Sequence, residues 1–96
     1  MGGCTFSVVA KGATAQEAFD RATSEARYEN GHGGYTGTIA EKDSFVVIAL
    51  PEGIEAEAYA DQLIENRDER VDDKWGPAGA IKLSHDEWLF FGWASS

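Results

Sequence analysis

Residues 80–94 read AIKLSHDEWLFFGWA, and the placement of this stretch decides the fold. Residues 80–84 and 87–94 have strand character on either side of the turn Ser84-His85-Asp86. In the second run Trp88 and Phe90 point to one face, while Leu89, Phe91 and Trp93 point to the other. A strand apolar on both faces has two places in a sheet. It lies at an edge, exposing large apolar area until a second copy of the chain covers it, or it inserts centrally beneath helices. The expectation is a homo-oligomer formed through this C-terminal strand, with central insertion as the alternative.

Upstream, residues 72–79, DDKWGPAG, form a loop by virtue of their glycines and proline. Before it Ala56, Tyr59, Ala60, Leu63 and Ile64 recur at helical spacing, predicting a helix that runs to about Arg70. Glu57, Asp61 and Glu65 follow one another on its exposed side. Residues 44–50 read as a strong strand with apolar residues on both faces, and residues 36–40 as a shorter one. At the other end of the chain, residues 5–11 alternate Phe6, Val8 and Ala10 against Thr5, Ser7, Val9 and Lys11, the period of a half-buried strand. Gly12 breaks it. Thr14 with Glu17 forms a capping-box signature, and Ala15, Ala18, Phe19, Ala22 and Ala26 then make a nearly all-alanine stripe that ends at Asn30-Gly31. The order β-α-β-β-α-β-β predicts one α+β domain spanning residues 1–96: an antiparallel sheet of four or five strands with both helices on one face, a ferredoxin-like variant.

The chain has 96 residues and a formal net charge of -9. Most of that charge sits in the second half, where a negative field opposes phosphate backbones and disfavours general nucleic-acid binding. No apolar run approaches the length needed to cross a bilayer, and the N-terminus lacks a basic-then-apolar leader pattern, so no membrane association and a cytoplasmic location are expected. The single cysteine, Cys4, has no intramolecular partner for a disulfide and reads as a small packed residue in the first strand.

The functional signal lies in residues 31–42. Gly31-His32-Gly33-Gly34-Tyr35-Thr36-Gly37-Thr38 packs four glycines, two hydroxyls, an aromatic and a histidine into eight residues. Glycines cost entropy to order, and one return on that cost is close approach of backbone N–H groups to a ligand. Thr36 and Thr38 add hydrogen-bond donors, Tyr35 a stacking face and Lys42 a charge. Lys74 and Trp75 offer a second cation and a second wall. The reading is a non-catalytic binding protein for a small phosphorylated ligand such as a nucleotide signal. Its ligand-binding residues are His32, Gly33, Gly34, Tyr35, Thr36, Thr38, Lys42, Lys74 and Trp75, with no cofactor and no metal. Neither phosphate-loop signature is present. Two alternatives stand: an inhibitor or adaptor that binds protein through its acidic helix or aromatic C-terminal strand, and a small hydrolase using His32 as base. His85-Asp86-Glu87 carries metal-compatible residue types but lacks metal-ligand spacing.

The boxes YENGHGGYTGTIAEKDSF at residues 28–45 and DKWGPAGAI at residues 73–81 resemble a family of short uncharacterised bacterial and phage proteins. The resemblance brings no activity or ligand with it; for a phage-encoded member the expectation is action in the host cytoplasm against host immunity, by sequestering a nucleotide signal or masking an effector.

Overall fold

The computed structural model describes residues 3–30, 38–73 and 75–95. The elements run β1 (Gly3–Lys11), α1 (Ala15–Asn30), a single 3-10 turn (Ile39–Glu41), β2 (Phe45–Val47), α2 (Ala56–Glu65), β3 (Ala78–Ser84) and β4 (Glu87–Ser95). The four strands form one sheet in the order β1-β4-β3-β2. β4 pairs antiparallel with β1 along its whole length and with β3 on its other flank, whereas β2 runs parallel to β3. The fold is thus α+β with a four-strand, mostly antiparallel sheet.

The aromatic C-terminal strand takes the central place. Both of its flanks carry ladder hydrogen bonds, so neither is open to pairing with another chain. The edge placement on which the homo-oligomer expectation rested does not occur.

The faces of β4 also correct the layer arrangement. Trp88 and Phe90 pack with Ala18, Phe19 and Ala22 of α1, while Leu89 and Phe91 pack with Ala56, Ala60 and Leu63 of α2. The helices therefore lie on opposite faces instead of sharing one, and the ferredoxin-like variant gives way to an α/β/α layering. The physical cause is the strand itself: a central strand with bulky apolar residues on both sides requires cover on both. On the α1 side Phe19, Phe45 and Phe90 meet with ring centroids 5.1 to 5.9 Å apart, tying α1, β2 and β4 together. Burying each such ring stabilises the fold by about 1.5–3 kcal/mol.

α1 forms as its pattern dictates. Thr14 Oγ1 accepts from the Glu17 N–H at 3.2 Å, and the Glu17 carboxylate accepts from the Ala13 N–H at 3.3 Å, so the cap satisfies two otherwise free donors. α2 stops at Glu65, short of the expected Arg70. Arg67 adopts a left-handed φ of 54°, the Asp68 N–H bonds to Leu63 O and the Arg67 N–H to Ile64 O, a Schellman ending. Asp68 and Arg70 then close a paired turn with Nε–Oδ1 and Nη2–Oδ2 distances of 2.9 Å. Val71 follows as a buried anchor of the α2-side core.

The described part of the expected 36–40 strand is the 3-10 turn instead. Thr38 Oγ1 accepts from the Ala40 N–H at 3.2 Å, and Glu41 and Lys42 donate back to Thr38 O and Ile39 O. A threonine that caps its own turn withdraws the backbone from strand pairing. Residues 36 and 37 lie outside the described residues.

Candidate functional site at the cleft between α1 and β1

β1 alternates as its sequence predicts: Phe6, Val8 and Ala10 turn toward α1, and Thr5, Ser7, Val9 and Lys11 are exposed on the opposite face. Across from Phe6 and Val8, α1 presents alanines, and short side chains leave the two elements unfilled between them. The result is a cleft of about 200 Å³ lined by Phe6, Ser7, Val8, Ala22, Glu25, Ala26, Glu29, Thr38 and Ile39. Ser7 points its side chain to the far side of the sheet, so its backbone lines the cleft. The cleft thus lies beside the outer flank of β1, which has no neighbouring strand among the described residues.

Charge gives the cleft its character. Glu25 and Glu29 sit four residues apart on its rim, and neither carboxylate has a hydrogen bond or ion pair among the described residues. Like charges at this spacing repel, and Glu29 lies in the last turn of α1, where the helix dipole disfavours an acid. These two choices cost helix stability. Among the described residues no cation lines the cleft.

Of the residues expected to bind ligand, His32, Gly33, Gly34, Tyr35, Thr36 and Lys74 lie outside the described residues. Thr38 lines the cleft. Lys42 does not present a solvated charge: its side chain is 2% exposed. Its Nζ donates to Gly76 O at 2.9 Å and to Asp73 O at 3.4 Å, and lies 6.0 Å from the centre of the Phe6 ring. Burial pulls the ammonium below the usual lysine range, opposed by the Asp73 and Glu41 carboxylates. Lys42 clamps the 73–76 turn to the chain after the 3-10 turn. Trp75 is 65% exposed, with its backbone N–H on Asp73 Oδ1 at 2.8 Å, and does not line the cleft. The two sequence boxes therefore meet, but through a structural lysine.

A second, shallower depression of about 390 Å³ lies at the other end of β1, lined by Lys11, Gly12, Ala13, Glu17, Arg21, His85 and Asp86. Its acidic groups are committed, since Glu17 caps α1, Asp86 O accepts from the Gly12 N–H at 2.9 Å and Asp86 Oδ1 from the Ser84 hydroxyl at 3.3 Å, whereas the side chains of Lys11 and Arg21 have no hydrogen bond or ion pair among the described residues. Among the described residues no group of three His, Cys, Asp or Glu side chains is arranged to hold a metal ion, and no helix is long and apolar enough to cross a membrane.

Sequence reading missed the cleft. Its signal was available in Glu25 and Glu29, acids four residues apart with Glu29 placed against the helix dipole, beside an alanine stripe and opposite a strand whose inward residues include Phe6. No protein-family model matches the chain, and neither the curated proteins nor the solved structures contain a match.

Proposed function

We propose that this protein is a non-catalytic binding module whose partner is another protein, engaged at the cleft between α1 and β1. The observation that carries the reading is the cleft itself: an apolar floor of Phe6, Val8 and Ala26, and, among the described residues, a rim of two carboxylates without partners and a strand flank without a neighbour. Apolar floors with a few polar groups are the usual make-up of a binding pocket. A rim of glutamates without a cation opposes phosphate. The acidic ridge Glu57, Asp61 and Glu65 on α2 is exposed and also negative, but it has no concavity of its own among the described clefts.

The test is selection from a random dodecapeptide library on the immobilised protein. Enriched peptides are expected to bind the wild type and to fail with Ala26→Phe, whose ring fills the cleft. Enriched peptides that bind Ala26→Phe unchanged would remove the cleft from the reading.

A second reading, a small phosphorylated ligand such as a nucleotide signal, is favoured by one observation: the two glycine-containing boxes converge on Lys42, with Thr38 at the cleft. It requires its positive charge to come from outside the described lining. A nucleotide that raises thermal stability in the wild type and not in Thr38→Val would support it.

A further inference from the structure

Resting on the protein-partner reading, we infer that the occupant of the cleft is an extended, cationic segment that adds to the sheet as a fifth strand along the outer flank of β1. Three independent features of the site support this. The first is the strand. β1 is nine residues long, pairs among the described strands with β4 alone, and from Thr5 to Ala10 carries none of the devices that close an edge: no proline, no inward charge and no bulge against β4. From Thr5 to Ala10 its residues are Thr, Phe, Ser, Val, Val and Ala, mostly suited to an extended ladder.

The second feature is the groove. In strand addition the backbone supplies hydrogen bonds, while every second side chain of the incoming segment drops into a pocket on one face of the sheet. The cleft lies on the α1 face of β1, where such alternate side chains would arrive. Phe6 and Val8 line its strand side and Ala22 and Ala26 its helix side. The third is charge. Glu25 and Glu29 look onto that groove without partners among the described residues, and the molecule as a whole carries -9. Lysine or arginine side chains whose stems lie on the apolar floor and whose heads reach the two carboxylates satisfy both parts of the groove.

The same charge argues against a second copy of this chain as the occupant. Pairing two β1 edges would bring two acidic helices alongside one strand ladder, in a protein already strongly negative. Like-charge juxtaposition of this kind opposes association.

The probe is an octapeptide of alternating valine and lysine, with an alternating valine and glutamate peptide as control. Three results are expected. The cationic peptide binds and the acidic one does not. Amides in β1 gain hydrogen-exchange protection. N-methylation of the peptide at one set of alternate residues abolishes binding, whereas methylation at the other set leaves it. Glu25→Gln/Glu29→Gln is expected to weaken binding at least about tenfold and to flatten its salt dependence.

Binding that depends on Ala26 but ignores N-methylation and the two glutamates would overturn strand addition and leave the protein-partner reading standing. Failure of every peptide, library-selected ones included, would overturn both. A dimer in solution that disperses on an introduced Val8→Pro would replace the cationic segment with a second copy.

Discussion

At the scale of single residues, Lys42 and Gly79 carry the clearest consequences. Lys42 looks in sequence like a solvated cation after a glycine loop, because nothing local reveals the carbonyls of Asp73 and Gly76 that meet it from more than thirty residues away. Lys42→Ala removes a buried stem and leaves Gly76 O without the donor that meets it, so unfolding experiments should show a loss of about 2–4 kcal/mol. Lys42→Met keeps the stem and should lose less. Because burial lowers the folded-state pKa below the ordinary 10.5, the unfolded chain binds a proton that the folded chain lacks between those two values. Stability linked to this group therefore rises with pH through that window, and below it the buried charge is a constant cost. The alkaline limb of a pH–stability curve should lose this rise in Lys42→Met. Gly79 faces Phe91 across the ladder, and a Cβ there would stand 2.5 Å from the Phe91 ring and 2.9 Å from Val71. Both neighbours are fixed in the core, so Gly79→Ala should destabilise by about 1–3 kcal/mol, read as a lower denaturation midpoint with an unchanged slope.

Among the elements, α1 was legible down to its cap. Its stripe, its Thr14–Glu17 pair and its Asn30 end all point the same way, and local consistency of that kind survives tertiary context. The end of α2 was not. Nothing in Asn66-Arg67-Asp68 has the glycine that usually marks a left-handed stop, yet Arg67 takes that conformation. Arg67→Gly removes the strain of a side chain at positive φ and forfeits a 3.5 Å pair in which the arginine is exposed and Asp72 Oδ1 is buried. The expected gain is about 0.5–1 kcal/mol, or a few degrees in melting temperature. The turn that follows gives a pH signature. Hydrogen bonds from Arg70 hold Asp68 down from its ordinary 3.8 to about 2. Its contribution is present above the ordinary value and is lost as pH falls from about 4 toward 2. Asp68→Asn should flatten the acid limb in that interval. The described part of the 36–40 strand, residues 38–40, was misread for a different reason: Thr38 has strand-forming character, and only its hydrogen bond to Ala40 shows that the hydroxyl serves a turn.

For the whole molecule, the double-faced strand contained more information than sequence reading drew from it. Leu89 and Phe91 on one side and Trp88 and Phe90 on the other call for two covers, and the chain has two helices; one on each face follows from that count. Placing both on one face would have left half of β4 bare. What periodicity does not supply is strand order, because pairing partners distant in sequence are set by packing. The cleft is legible only once β1 is known to be an edge. Its location follows from topology, its floor from Phe6 and Val8, and its sign from Glu25 and Glu29.

The measurement that bears most directly on this account is thermal unfolding of the wild-type protein with the alternating valine–lysine peptide and, separately, with a panel of linear and cyclic nucleotides. A ligand present at about 100 times its dissociation constant adds about 2.7 kcal/mol to the folded state, well within reach of the method. The account predicts an upward shift with the cationic peptide that Glu25→Gln/Glu29→Gln removes, and none with the nucleotides. A shift with a nucleotide and none with the peptide would contradict it.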